Sequence, residues 1–312
     1  MKIIVTGALG HLGSKLIRMI PEYFDNAEIV MLDSLLTQRY SSLFNLEKRN
    51  GCRYRFVESD ILELEIANEI KGARAVIHLA ALTEAMKSAK EPEVFKNINY
   101  ELTRKIAEAC ANQQVPLIFP SSCSVYSPTQ KYVDENSLGR EVNAQSPYAK
   151  VKIDEENIIK KLAETNGLKY TIFRLGTIAG SSVGMRFHTA VNSFCWSAVL
   201  NKPLNIWETA LNQKRPYLAL NDFVHAIAFV IQNNLYKNET YNLLNGNYTV
   251  SDIVENIKKR IPNLEIKLVK CDIMNDLNYE VGFKKFTDTG FSYHYSIEKS
   301  IEDTLNFFDA LT

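Results

Sequence analysis

The stretch TGALGHLG, Thr6–Gly13, spaces three glycines at positions 7, 10 and 13, and the fold turns on how it is read. Before it runs the apolar KIIVT. After it comes HLGSKLIRMI, whose apolar residues recur at helical spacing as far as Pro21. A short apolar run ending in glycine reads as a buried parallel strand. Gly7, Gly10 and Gly13 then let the backbone turn tightly and approach a diphosphate seated on the helix N-terminus. The spacing G-x-x-G-x-x-G is one residue longer in its first interval than the dinucleotide fingerprint. A bare triplet of this kind serves equally well as a plain strand–helix turn, so the segments on either side must separate the two readings.

The next apolar run, AEIVMLD, ends at Asp33, about 20 residues after Gly13, where a carboxylate accepts ribose hydroxyls and repels a 2′-phosphate. That favours NAD over NADP, with Arg39 nearby keeping NADP as the alternative. YRFVESDI and ARAVIHLAA are third and fourth strands, PLIFPSS a fifth and KYTIFRLG a sixth. Between them lie an amphipathic helix from Pro92 and a second helix, with Ser146 as N-cap, Pro147 in its first turn and Gly167 at its end. Strands alternating with helices predict an α/β protein with a Rossmann-like, doubly wound parallel sheet. After Gly176 the rhythm breaks. Residues 1–175, with a return at about 215–235, are assigned to the dinucleotide-binding domain. A smaller substrate-binding domain takes 176–214 and 236–312.

Composition narrows the partners. Among 312 residues, Lys plus Arg and Asp plus Glu both total 36, so the formal net charge is zero. No long-range field attracts nucleic acid or an anionic membrane, and an anionic ligand must be held by local arginines or helix N-termini. The five cysteines, 52, 110, 123, 195 and 271, contain no C-x-x-C pair, which argues against a metal site and a disulfide framework. A reducing, cytoplasmic setting is expected, with neither a signal peptide nor a membrane span.

Two Tyr-x-x-x-Lys pairs remain, Tyr148 with Lys152 and Tyr295 with Lys299. Spacing alone does not separate them, because each puts its two side chains on one helical face. Order along the chain does. TGALGHLG, Asp33, HLAA at 78–81, PSSCSVY at 120–126 and SPYAKVK at 146–152 follow one another. In that order they resemble the extended short-chain dehydrogenase/reductases, and within them the nucleotide-sugar epimerase/dehydratase family. RLGTIAG at 174–180 and RPYLALNDFVHAI at 215–227 extend the resemblance. It implies that Tyr148 is the acid/base, Lys152 the nicotinamide-ribose ligand and Ser122 the third member of the relay. A free phenol titrates near 10, and a neighbouring ammonium lowers that value. Tyr295 and Lys299 are expected to be an ordinary surface pair.

The resemblance also implies a wider cofactor set: Leu12 inside the loop, Asp60 near the adenine with Ile61 beside it, and Leu79, Ala80 and Ala81 lining the cleft. Thr83 stands where some relatives carry a lysine, and Asn99 matches an asparagine that braces the fifth-strand region. His78 is read as a packed core histidine. Ser122, Thr177, Arg186 and Arg215 are the substrate candidates. Arg215 matches the family's diphosphate arginine, whereas a second such arginine is not found around IMNDLNYEV, 273–281. The expected partner is a nucleotide-diphosphate sugar, and the expected assembly a homodimer.

Dehydratases of this family carry Asp-Glu directly after the catalytic Ser/Thr. Here those positions are Cys123 and Ser124, so 4,6-dehydration is not expected. What remains suits NAD-dependent epimerisation, at C4 by resemblance. The alternatives are a one-way 4-dehydrogenase or 4-ketoreductase and, from another class, a non-catalytic dinucleotide-binding regulator.

Overall fold

The computed structural model describes residues 1–83, 92–126, 131–137, 146–187, 189–270 and 279–311. In chain order its first half contains β1 (Lys2–Thr6), α1 (His11–Met19), β2 (Glu28–Asp33), β3 (Arg53–Glu58), α2 (Ile66–Ile70), β4 (Ala75–His78), α3 (Pro92–Gln113), β5 (Leu117–Ser122), β6 (Tyr132–Val133) and α4 (Pro147–Asn166). The second half contains β7 (Tyr170–Leu175), β8 (Thr177–Ala179), α5 (Ala190–Val199), β9 (Leu204–Trp207), β10 (Arg215–Ala219), α6 (Leu220–Asn233), β11 (Glu239–Leu243), β12 (Gly246–Tyr248), α7 (Val250–Lys258), β13 (Ile266–Val269), β14 (Glu280–Val281), α8 (Lys284–Thr287) and α9 (Ile297–Phe307).

Seven strands form one parallel sheet in the order β11-β7-β5-β4-β1-β2-β3. Its central strand shows why the apolar runs are continuous. Ile3 and Val5 of β1 join one core with Leu16 and Ile17 of α1 and with Val224, Ile227 and Ile231 of α6. Ile4, between them, joins the opposite core with Leu102, Ile106 and Cys110 of α3. A strand covered on both faces has no side left for polar residues. Each such side chain taken fully from water contributes about 1.5–3 kcal/mol.

The strand order reverses between β1 and β4, and that gap is the crevice in which doubly wound sheets bind ligands. Beside the sheet, β8, β10 and β12 form a three-stranded sheet. Around it a third core gathers Val191 and Cys195 of α5, Ile253 and Ile257 of α7, and Ile297 and Ile301 of α9.

Two strands of the second half join sheets that their local pattern does not announce. Within 236–312, Glu239–Leu243 is the edge strand of the main sheet, paired with β7. Within 215–235, β10 pairs with β8 and β12, while its Leu218 and the apolar face of α6 pack on the main sheet. Both are short runs whose partners lie far away in sequence, so local pattern carries no information about which sheet they join. Cys271 and most of 273–281 lie outside the described residues.

Candidate active site

The glycine loop joins β1 to α1, and its geometry excludes larger residues. Gly7 has φ +61°, and a Cβ there would sit 2.6 Å from the Ala80 nitrogen and 2.7 Å from the Leu79 carbonyl carbon. A Cβ on Gly13 would lie 2.5 Å from the Gly7 oxygen. Backbone thus passes against backbone on both sides of the loop, leaving a cradle whose floor is N–H groups at the start of α1. Gly10 closes the turn by donating to the Gly7 oxygen at 3.1 Å, while Leu12 packs inward on the first core. The cradle suits a dinucleotide diphosphate.

Asp33 ends β2 at the rim. Its Oδ2 accepts the Leu9 N–H and its Oδ1 the Leu35 N–H, both at 3.0 Å. Each carboxylate oxygen keeps a further lone pair, so the half-buried group can still accept ribose hydroxyls. Asp60 is exposed, accepting the Leu62 N–H at 2.9 Å, and Ile61 is buried beneath it. Leu79, Ala80 and Ala81 are half-buried beyond the end of β4. Asn99 is buried on α3. It braces the segment after β4, accepting the Leu82 N–H at 2.8 Å and donating to the Leu82 oxygen at 2.9 Å, because the first turns of α3 lie over that end of the sheet.

Tyr148 occupies the first turn of α4. Ser146 caps this helix by accepting the Ala149 N–H at 3.2 Å, and Gly167 ends it in the left-handed region at φ +69°. The Tyr148 hydroxyl faces Ser122, the last residue of β5. Ser122 Oγ also accepts from the Ser124 nitrogen at 3.1 Å and the Ser124 hydroxyl at 2.9 Å. One turn on, Lys152 is 4% exposed. Its Nζ lies 2.9 Å from Glu155 and 4.7 Å from the centre of the Phe119 ring. Burial pushes the Tyr148 hydroxyl above its ordinary value; Lys152 is the strongest of the groups that pull it back, with Arg186 and Ser122 adding to it. For Lys152, burial favours the neutral amine, but Glu155 and Tyr148 more than offset it and the pKa rises.

Of the substrate candidates, Thr177 and Arg215 lie on the second sheet. Thr177 of β8 stands opposite Tyr217 of β10. Arg215, at the start of β10, has a buried Nε without a hydrogen-bond partner among the described residues. Burial lowers its pKa against the pull of Tyr217 and Tyr279. A buried guanidinium nitrogen left without a partner is costly, and a bidentate anion would satisfy it. Arg186 donates to the Thr83 hydroxyl, so residues assigned separately to cofactor and substrate meet. Cys123 turns inward, its thiol donating to the Arg174 oxygen at 3.3 Å and pushed up by burial. Tyr295 donates its N–H to Asp222, and Lys299 lies exposed against Glu302 and Asp303.

Three groups went unread in the sequence. His11 accepts from or donates to Ser182 at 2.7 Å and meets Asn192 at 3.2 Å, tying the glycine loop to the segment that carries Arg186. Glu156 receives Arg174 through two nitrogens at 2.9 and 2.7 Å, and Ser121 at 2.7 Å, bracing α4 against β5 and β7. Glu155 faces Lys152. Its signal was available, since position +3 shares a helical face with Lys152, but three consecutive acids (154–156) do not say which one turns inward.

A glycine-cradled crevice at the switch point of a doubly wound sheet defines a Rossmann-like dinucleotide-binding protein. The chain belongs to the NAD dependent epimerase/dehydratase family, which matches residues 3–243, and the cofactor of that family is NAD. It is 26% identical over 253 residues to a Bacillus subtilis protein named uncharacterized UDP-glucose epimerase YtcB, covering 78% of this chain and 76% of that one. It is 27% identical to the dTDP-D-glucose 4,6-dehydratase of Dictyostelium discoideum, over 85% of this chain but 62% of the relative's length. Among solved structures, the UDP-glucuronic acid 4-epimerase of Bacillus cereus, bound to UDP-glucuronic acid and NAD, superposes with TM-score 0.88. It is 22% identical, and both chains are covered in full.

Proposed function

We propose that the chain is an NAD-dependent nucleotide-sugar epimerase acting at C4. The observation that carries this reading is the Ser122–Tyr148–Lys152 arrangement beside the glycine cradle. The chemistry that bound NAD supplies is acceptance and return of a hydride. Tyr148 takes the proton from the reacting sugar hydroxyl, and Ser122 holds that oxygen in line. Lys152 stabilises the phenolate and reaches the nicotinamide ribose. Once the ketone has turned, Tyr148 returns the proton on the new face. Gly7, Gly10, Leu12, Gly13, Asp33, Asp60, Ile61, Leu79, Ala80, Ala81, Thr83 and Asn99 form the cofactor side. Thr177, Arg186 and Arg215 serve the sugar nucleotide, with Arg215 on its diphosphate. The substrate unit is 176–214 with the residues that follow the main sheet. The protein works in the cytoplasm as a homodimer.

Relatives include dehydratases as well as epimerases. Against dehydration stand Cys123, buried with its thiol held to the backbone, and Ser124, engaged with Ser122. Neither is a carboxylate that could remove water across C5 and C6. The test is incubation of the purified protein with UDP-, GDP- and dTDP-sugars without added cofactor, following product stereochemistry and reduced-nicotinamide absorbance. An inverted sugar with no accumulating NADH is expected. A keto-sugar with stoichiometric NADH, or turnover only when NADH is supplied, assigns the one-way reaction instead. A 6-deoxy-4-keto product assigns dehydration.

A further inference from the structure

His78, Thr103 and Glu155 are buried polar residues that form one continuous chain with Lys152. Glu155 Oε2 faces the Lys152 ammonium at 2.9 Å, and no other donor among the described residues reaches it. Glu155 Oε1 accepts from the Thr103 hydroxyl at 2.7 Å. Thr103 Oγ1 lies 3.3 Å from His78 Nε2, and His78 Nδ1 lies 2.7 Å from Thr6 Oγ1. Thr6 Oγ1 accepts the N–H groups of Leu79 at 3.1 Å and Ala80 at 3.2 Å.

An ionised carboxylate accepts only, so the proton positions follow without choice. Thr103 gives its proton to Glu155 and accepts that of His78 Nε2. His78 Nδ1 accepts the Thr6 hydroxyl proton. The chain therefore requires a neutral imidazole, in keeping with burial and the Lys152 charge, which together lower the His78 pKa to about 3. It runs from the cofactor cradle to Glu155 with every hydroxyl and imidazole donor matched, and the Lys152 ammonium stands beyond it as an ion pair.

We propose that Glu155 is a positioning residue: anchored by Thr103 and, behind it, His78, it pins the Lys152 ammonium beside Tyr148 and keeps it charged. This rests on the reading of Tyr148 and Lys152 given above. A lysine this deeply buried sheds its proton unless an anion faces it. Glu156 is not available for that purpose, being occupied by Arg174 and Ser121. The charged and titratable groups around Lys152 are Glu155, Tyr148 and Glu156 on α4 and His78 on β4. The Phe119 ring covers it from β5. Tyr148 is faced by Lys152, Glu155 and Arg186.

The sign of one titration tests the idea. Glu155→Gln keeps the shape and an acceptor for Thr103 but removes the charge. If Glu155 keeps Lys152 charged, the amine turns neutral and Tyr148 loses its strongest stabilising neighbour, so the phenol titrates higher. If Lys152 keeps its proton unaided, only an opposing anion has gone, and Tyr148 titrates lower. The readout is tyrosinate absorbance of the full chain against pH, wild type minus Tyr148→Phe, repeated in the Glu155→Gln background. An upward move of about one unit or more is expected; an unmoved or lowered step overturns the proposal. If Glu155→Gln does not fold, Thr103→Val read in the same way is expected to move the step upward by less, and no movement there overturns it. Failure of the functional reading looks different: Tyr148→Phe would keep its turnover, whatever the titration shows.

Discussion

Replacing Tyr148 by Phe removes one oxygen from a half-buried side chain that faces Ser122 and Lys152. The ring still fills the first turn of α4, so NAD binding by fluorescence titration is expected to be unchanged. Turnover of the sugar nucleotide that wild type converts is expected to fall about 10²–10⁴-fold, the usual cost of a lost general acid/base. Tyr295→Phe is the control. Its partner Lys299 sits in a surface cluster with Glu302 and Asp303, and turnover should stay at the wild-type level. The two pairs share a spacing and differ in surroundings: one lysine is enclosed by Glu155 and Phe119, the other is solvated.

His78 ends β4, and its buried ring stacks near Phe119 with centroids 6.0 Å apart. Its pKa falls from 6.5 to about 3 through burial and the Lys152 charge. A group depressed on folding takes up protons first in the unfolded chain, so its stabilising share is complete above about pH 6.5 and is lost as pH falls towards 3. Between pH 7 and 5 this one residue is expected to remove roughly 2 kcal/mol from folding. Denaturant unfolding at both pH values checks it, and His78→Gln should flatten that part of the slope. A wild type equally stable at both would contradict the neutral histidine on which the chain to Lys152 depends. The element that holds the site is α4, tied down independently by its Ser146 cap and by the Glu156–Arg174 pair.

For the whole molecule the expected assembly is a homodimer through the outer faces of α3 and α4. Part of the apolar stripe on α3 is already spent: Leu102, Ile106 and Cys110 lie in the monomer's own core. What faces outward includes Arg104, paired with Glu101 and Glu108. An interface built over such charges should weaken with salt. Light scattering at micromolar concentration is expected to give twice the monomer mass at low salt; a monomer under those conditions removes the dimer from the reading. Among the described residues no helix is long and apolar enough to cross a membrane.

Much of this protein is written in local pattern. The continuous apolar runs of β1 and β2, the glycine triplet and the Ser146, Pro147 and Gly167 punctuation of α4 each act over a few residues, so composition and period suffice to read them. Tyr148, Lys152 and Ser122 stand out through their order after recognisable strands. Partners distant in the chain are another matter. That β11 closes the main sheet while β10 leaves it depends on pairings with β7 and β8. That His11 clasps Ser182 and Asn192 depends on a loop and the helix α5, 171 and 181 residues away. Which of three consecutive acids turns toward Lys152 depends on Thr103 and Arg174, one on another helix and one on another strand. Such choices are made by packing, where a buried charge must find its counter-ion or remain unsatisfied, and no period along the chain records which neighbour will be there.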